Sequence, residues 1–551
     1  MGRRHGQIKQ HFRVGDELFV EQPGSGGGAR FLAVTGHASA ASFGLAAPPA
    51  GAVVEFRFGR LFSKPVLPEY RPEAKALTAL GLSMEERKDN PVLDRGVPAG
   101  YTYLGQFIDH DMTFFDETVG FEGDLEPEDV ESGRSPALDL DSVYGLGPEL
   151  EKTHPSGRKI YEDDGIRMRV GMTKDDHVSD EVAPKLSFPN DLPRRKVLKE
   201  GLPPEKQVEA MIADPRNDEN LALAQTHVAF IRFHNAVVER LSNKYQGTQL
   251  FEEARKKVRQ HYQWIILRDY LPRVIRADVL DDVIEHGCRH FNPGENAHMP
   301  VEFSVAAFRL GHAMVRNFYQ WNGLFQSNPP GRHRAATLSD LFERTGRADP
   351  SLLATDLGLQ SSWVIDWTRF YDFKDFPGVA NNAHSNAARG ISPSLTSPLM
   401  TLRGTDKKEP PSLAVRNLLR GRLLGLPAGQ SVADRLGVEK PLKPEEIADG
   451  PHRDVLVEHG FQQLTPLWYY ILKEAEARED GKRLGEVGSR IVAETFVALI
   501  KASQDSILAD AAPGKKVKEP DLGPVKENRF DMPDLLFFVH DSSKESFLNP
   551  I

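Results

Sequence analysis

The sequence predicts a mainly α-helical protein preceded by a short arm of strands and turns. Three observations carry that expectation. Apolar residues recur at helical spacing through most of the chain after about residue 214. Prolines and capping residues bracket those stretches. Residues 1–65 instead alternate short apolar runs with glycine-rich breaks.

With 551 residues the chain exceeds the usual size of a single core, and it has room for one large domain or two or three smaller ones. Its 40% hydrophobic and 27% charged composition is that of a soluble globular protein, with no apolar run of the roughly 18 residues that would span a membrane. A net charge of −10 with scattered Lys and Arg argues against a nucleic-acid partner, because phosphate binding relies on clustered cations. Cys288 is the only cysteine, so intramolecular disulfides and sites of several thiolates are excluded, and any metal must be held by N and O ligands. Gly2-Arg-Arg-His-Gly is basic but is not followed by the roughly 7–15-residue apolar segment of a secretory signal. The expected location is the cytoplasm, or outside by a leaderless route.

In order along the chain, Leu18-Phe-Val, Phe31-Leu-Ala-Val and Val53-Val-Glu-Phe-Arg-Phe predict short strands in the arm, and Gly24-Ser-Gly-Gly-Gly-Ala a plain turn. Pro-bearing loops then lead into Tyr103-Leu-Gly-Gln-Phe-Ile-Asp-His-Asp-Met-Thr-Phe114. Residues 122–147 are acidic and turn-rich, as expected of a loop-borne cation site, and 174–207 reads as surface loop. Asp214-Pro215 predicts a helix start, with Leu221, Ala224, Val228, Ile231 and Val238 extending it to Leu241. A second helix is expected from about Phe251 to Leu271, ended by Pro272, and a third over 301–318 with Val305, Phe308 and His312 on one side. Segments 410–426, 444–449, 452–477 and 485–510 are also helix-patterned, and 511–527 is an expected exposed loop.

Five constellations carry possible chemistry. Gln106, Asp109, His110 and Asp111 fall within six positions, and because the last three are successive their side chains must diverge. An imidazole beside carboxylates suits a positioned base or a metal ligand, although an acidic turn fits equally on local grounds. Arg216 and Glu219, three apart, place a guanidinium where oxygen charge could develop, or simply form a surface ion pair. Arg309 and His312 share a face of an apolar helix, and Gly311 permits close approach by a flat group, a pattern that suits haem as well as a hydrogen-bonded core histidine. Asn417 and Arg420 repeat the three-residue spacing, which ordinary helix surface also does. Ser135-Pro-Ala-Leu-Asp139-Leu-Asp141 offers alternating oxygen ligands that, with Asp111, could wrap Ca²⁺ without an EF-hand.

In this order the motifs resemble the animal-type haem peroxidases of the peroxidase–cyclooxygenase superfamily, in their myeloperoxidase-like branch, over roughly 100–430. The shared pattern is Gly105-Gln106-x-x-Asp109-His110-Asp111, Arg216-x-x-Glu219, Arg268-Asp-Tyr-Leu-Pro272, Phe308-Arg309-x-Gly-His312 and Asn417-x-x-Arg420-x-Arg422-x-x-Gly-Leu-Pro427. The resemblance implies a large single-domain helical peroxidase fold over 66–551 after an arm at 1–65. It makes His110 the distal histidine, Arg216 the distal arginine, Gln106 a distal-pocket residue, His312 the proximal iron ligand and Asn417 its hydrogen-bond partner. Asp109 and Glu219 stand where relatives form ester bonds to a haem b-derived group, and Arg309 and Arg420 near the propionates. Asp111, Ser135, Ala137 through its carbonyl, Asp139 and Asp141 match the calcium shell. The implied activity is reduction of H₂O₂ with oxidation of halides, thiocyanate or phenols through a ferryl intermediate, with no nucleic-acid or membrane partner.

Departures from the family pattern limit that expectation. Asn220 stands in place of the methionine of myeloperoxidase, so no sulfonium link to haem is expected, and the lone Cys288 points to a bacterial-type member without disulfides. Ala137 and Asp141 also differ from the usual calcium-loop residues. The alternatives are a fatty-acid dioxygenase of the same superfamily, a metal hydrolase using His110 and Asp111, and a non-catalytic haem- or calcium-binding protein. Dioxygenases carry a tyrosine just before the proximal histidine, where this chain has Leu310-Gly311, although Tyr319-Gln-Trp321 follows at a distance.

Overall fold

The computed structural model describes residues 57–86, 94–115, 120–130, 132–152, 158–174, 187–196, 208–293, 298–327, 334–345, 358–379, 385–402, 410–503, 505–508, 521–522, 529–543 and 547–550, with the strand backbones 11–14, 17–22, 30–33 and 53–54. The expected turn at 24–29, the stretch 175–186 and most of 511–527 lie outside them. Helices make the frame. Gly100–Met112, Leu221–Leu241 and Gly247–Ile265 pack on one another, and Glu486–Ala502 joins Ala277–His286 to Leu467–Glu479. Phe107 of the first helix stacks on Phe230 at 4.6 Å, and Tyr262 meets both rings edge-on, so three helices are locked by one aromatic cluster. Among the described residues no helix is long and apolar enough to cross a membrane.

Strands are short. His11–Val14, Glu17–Gln22, Arg30–Ala33 and Val53–Val54 form an antiparallel sheet in that order. Arg57–Gly59 pairs parallel with His298–Pro300, which stitches the end of the arm to the segment leading to His312. Ala387–Arg389 pairs with Asp94–Pro98 at the start of the first helix.

Several expected helices are broken, each for a local reason. The helix expected from Asp214 divides in two. Asp214 caps a 3₁₀ turn, Pro215–Asp218, by accepting from Arg216 N at 2.9 Å. Asn220 is then extended (φ −144°, ψ 156°) and caps Leu221–Leu241 by accepting from Leu223 N at 2.9 Å. Two cap residues in succession put Arg216 and Glu219 on a turn, not on a helix face. The second helix starts at Gly247 and passes through a π-turn, Ile266–Tyr270, so that Pro272 opens the short helix Leu271–Val274 instead of ending the long one.

The helix expected over 301–318 is a π-turn (Glu302–Ala306), a 3₁₀ turn (Ala307–Leu310) and one α-turn (Gly311–Met314), with a strand from Phe318. Ala306 leaves helical geometry (φ −125°, ψ −75°), and Arg309 Nε donates to the Ser304 carbonyl at 2.7 Å. The buried Glu302 carboxylate turns instead to the backbone N–H groups of Leu61 and Phe62, at 2.8 and 3.2 Å. The segment 452–477 likewise splits into Arg453–Glu458 and Leu467–Glu479, the latter starting after Pro466. The remaining helix-patterned stretches form Leu413–Leu423, Pro444–Ile447 and Glu486–Ala502.

Candidate active site

The helix Gly100–Met112 is buried at every position except Gln106, which is only partly covered. Gly105 is required by packing: a Cβ there would lie 2.4 Å from the Tyr270 hydroxyl and 3.1 Å from its Cζ. Gly105→Ala is therefore expected to cost about 1–3 kcal/mol, read as a lower midpoint in chemical denaturation. Gln106 and His110 are one turn apart and share a face, while Asp109 and Asp111 point elsewhere.

His110 Nδ1 meets Asn217 Oδ1 at 2.9 Å, and Asn217 Nδ2 meets His227 Nδ1 at 2.9 Å. With the Asn217 amide turned this way its oxygen accepts, and in this orientation His110 carries its proton on Nδ1 and keeps a lone pair on Nε2. Nε2 lies 4.0 Å from Glu219 Oε2. Burial pushes the imidazole pKa below its usual value, and the Arg216 cation pushes the same way, against the weaker pull of Glu219, Asp214 and Asp109. His110 is thus a neutral imidazole with a free basic nitrogen.

Arg216 is gripped rather than free. Its Nε and Nη2 donate to Asp214, Nη2 also to the His110 carbonyl at 2.7 Å and Nη1 to the Thr113 carbonyl at 2.8 Å, with Phe114 stacked 4.5 Å away. Asp214 also pairs with Arg134 at 2.6 Å. Burial alone would raise its carboxyl pKa, but Arg216 and Arg134 outweigh that and hold it well below the usual range. Asp109 accepts from Arg309 Nη1 at 2.9 Å and from Thr113 Oγ1 at 3.1 Å, so these two residues face each other directly. Gln106 Oε1 accepts from Asn220 Nδ2 at 3.0 Å.

Three residues after Arg309 in the chain is His312, and Asn417 Nδ2 lies 2.8 Å from its Nδ1. A half-turn of that amide presents Oδ1 to Nδ1–H, and in this orientation His312 Nε2 keeps the lone pair a metal ion needs. Burial, followed by the Arg309 charge, pushes the His312 pKa down to about 3, so it too is neutral. Trp468 stands perpendicular to its ring at 6.5 Å. A Cβ built on Gly311 meets no atom within 4 Å, which leaves space for a flat group beside the histidine. The donor set fits haem. Arg420 lies over Phe115 at 4.3 Å and Phe121 at 5.0 Å.

Asp111 leaves this site. Its carboxylate accepts from Leu140 N at 3.1 Å and from Ser142 N and Oγ at 3.2 and 3.1 Å. Ser135 Oγ donates to Asp141 Oδ2 at 3.2 Å, and Asp139 Oδ1 is buried with no hydrogen-bond partner among the described residues. Leu140 between the two aspartates adopts a left-handed conformation at φ 63°, uncommon for a branched residue. Burial and then the charge of Asp139 push the Asp111 carboxyl up to about 7. Ala137 is buried in the same loop. Among the described residues no group of three or more His, Cys, Asp or Glu side chains closes into a metal-holding arrangement.

Residues 118–503 match the family described as animal haem peroxidase, more than half of the chain. The chain belongs to that family. The matched stretch contains Arg216, Glu219, Arg309, His312, Asn417 and Arg420 and begins after His110. Thyroid peroxidase of Homo sapiens is 29% identical over 247 residues, covering 42% of this chain and 26% of that protein. The peroxidasin homolog pxn-2 of Caenorhabditis elegans is 26% identical over 228 residues, covering 39% of this chain and 16% of that protein. The chain thus spans about a quarter or less of the length of these curated relatives. Among solved structures, peroxidase A from Dictyostelium discoideum aligns with a TM-score of 0.55 at 17% identity, covering 84% of this chain and 91% of that one. The fatty acid alpha-dioxygenase of Oryza sativa aligns at 0.53 and 12% identity, covering 90% and 82%. These likenesses establish the helical peroxidase fold.

For an animal haem peroxidase, the site holds residues that sequence reasoning passed over. Asn217 bridges the His110 and His227 rings, and Asp214 is the counter-ion of Arg216 as well as a cap. Asn220 holds Gln106. One signal was present: Gln225, Thr226, His227 and His234 are polar side chains on a helix otherwise apolar on most sides, and all are buried.

Proposed function

We propose that this member of the family is a haem-dependent peroxidase that reduces H₂O₂ and oxidises halides, thiocyanate or small phenols. The observation that carries the reading is a pair of neutral imidazoles, His110 buried and His312 partly covered, each with Nδ1 against an asparagine side chain and each within electrostatic range of Asp109. Haem bound at His312 Nε2 would supply the electrons that cleave the peroxide O–O bond. His110 Nε2 takes a proton from one peroxide oxygen and delivers it to the other, which departs as water. Arg216, fixed by Asp214, stabilises negative charge at the departing oxygen. Asn417 as acceptor keeps His312 closer to neutral imidazole than a carboxylate would. In this reading Asp109 and Glu219 would form the ester bonds, and Arg309 and Arg420 would meet the propionates.

The test is turnover of H₂O₂ by the haem-loaded chain with iodide, thiocyanate or a phenol as donor. Oxygen uptake with linoleate in the absence of a reducing donor, and no peroxide turnover, would support the dioxygenase reading instead.

We also propose Ca²⁺ at Asp111, Ser135, the Ala137 carbonyl, Asp139 and Asp141, because three aspartates buried to 2% exposure or less repel one another without a cation. After EDTA treatment, added Ca²⁺ at about a hundredfold excess over its Kd is expected to stabilise the fold by about 2.7 kcal/mol. The gain should vanish in Asp139→Asn; an unchanged melting midpoint in the parent would rule the site out.

A further inference from the structure

The hydrogen bonds around Asn220 determine which end of the Gln106 amide faces the pocket. Side-chain amides can usually be turned end for end, but here a backbone group removes the freedom. Leu223 N–H can only donate, and it points at the Asn220 side chain at 2.9 Å, so the Asn220 atom there is Oδ1. The other end, Nδ2, then faces Gln106 at 3.0 Å and can only donate, so the Gln106 atom there is Oε1. The Gln106 Nε2–H₂ group is left on the far side. Gln106 is also the one partly uncovered residue of the helix Gly100–Met112, one turn before His110 on the same face.

We infer that Asn220 is a positioning residue that sets the polarity of the distal pocket, holding the Gln106 amide with its N–H donors turned toward the space beside His110. The inference rests on reading His110 and Gln106 as the distal side of the haem site. That space then offers one acceptor, the His110 Nε2 lone pair, and one pair of donors. A small molecule that accepts hydrogen bonds, such as a peroxide oxygen or an anion, is anchored by the amide while His110 remains free to take a proton. With the amide reversed, two acceptors would face the ligand and repel its lone pairs. The two bonds of Asn220, one capping the helix and one gripping Gln106, make pocket polarity a consequence of helix capping.

The probe is fluoride, a small anion that only accepts hydrogen bonds, titrated into the haem-loaded protein and followed by its absorption spectrum. Asn220→Asp preserves the helix cap, because aspartate caps as well as asparagine, but offers Gln106 only acceptors. The amide should swap ends, and the fluoride Kd should rise at least about tenfold, with a shift of the fluoride charge-transfer band. Asn220→Ser keeps a cap without charge and cannot reach Gln106, and a rise of about threefold is expected. Both effects should persist in about 1 M sodium sulfate, where repulsion by an added charge is screened. Parent-like Kd values in both variants would overturn the inference. So would weakening confined to Asn220→Asp at low salt, since that is charge repulsion alone. A parent whose spectrum does not respond to fluoride would overturn the distal-pocket reading itself.

Discussion

Replacing His110 with glutamine is expected to slow the reaction of the haem-loaded protein with H₂O₂ by about 10²–10⁴-fold, the usual worth of a positioned acid–base group. Glutamine can hydrogen-bond to Asn217 but cannot accept and return a proton. The pH profile supplies an independent check. His110 works as a base only when neutral, and burial with the Arg216 charge holds its pKa below 6.5. The parent rate constant should therefore be flat through neutral pH and fall only as the solution becomes acidic and imidazolium forms. The glutamine variant should lack that acid limb. In Arg216→Ala the loss of a neighbouring cation should raise the His110 pKa and move the limb to higher pH. Stopped-flow absorbance at several pH values measures all three.

Asp214→Ala should be the most damaging substitution for stability, by about 3–5 kcal/mol in urea denaturation, because it leaves charge buried without a partner. Asp214 is fully buried and pairs with Arg134 at 2.6 Å and Arg216 at 2.7 Å, so its removal takes the carboxylate from both guanidinium groups, from the fully buried Arg134 above all, while Arg216 keeps its backbone carbonyls. The comparison is Asp124, whose side chain is 60% exposed while it pairs with Arg71 at 3.3 Å. Its replacement by alanine should cost less than about 1 kcal/mol. The same change at 214 also frees Arg216 from its fixed place beside the His110 carbonyl, so peroxide reactivity should fall in the folded fraction.

The helical class was legible because apolar residues recur at helical spacing over stretches too long for a strand, as in Leu221–Leu241 and Glu486–Ala502, although the fold buries these helices on nearly every side. The breaks were less legible, since they come from contacts distant in sequence. Nothing near Glu302 announces that its carboxylate will cap the N–H groups of Leu61 and Phe62, yet that bond accompanies the π-turn before His312. The motif residues were visible as types: a histidine among carboxylates, an arginine and a glutamate three apart, a histidine after glycine. Their couplings were not. Asn217 lies in a turn where asparagine is unremarkable, and His227 on an apolar helix passes for core, until the turn folds back and joins both to His110. The resemblance puts Asp109 and Arg309 separately against the porphyrin, while the fold brings them 2.9 Å apart across a sequence separation of 200 residues.

The central claim is that His312 and His110 border one haem site, and haem titration of the parent beside His312→Ala tests it most directly. The parent should take up stoichiometric haem with a Soret band that changes on adding one equivalent of H₂O₂, and the variant should leave the spectrum of free haem. A variant that kept the parent's Soret band and its response to peroxide would contradict the account.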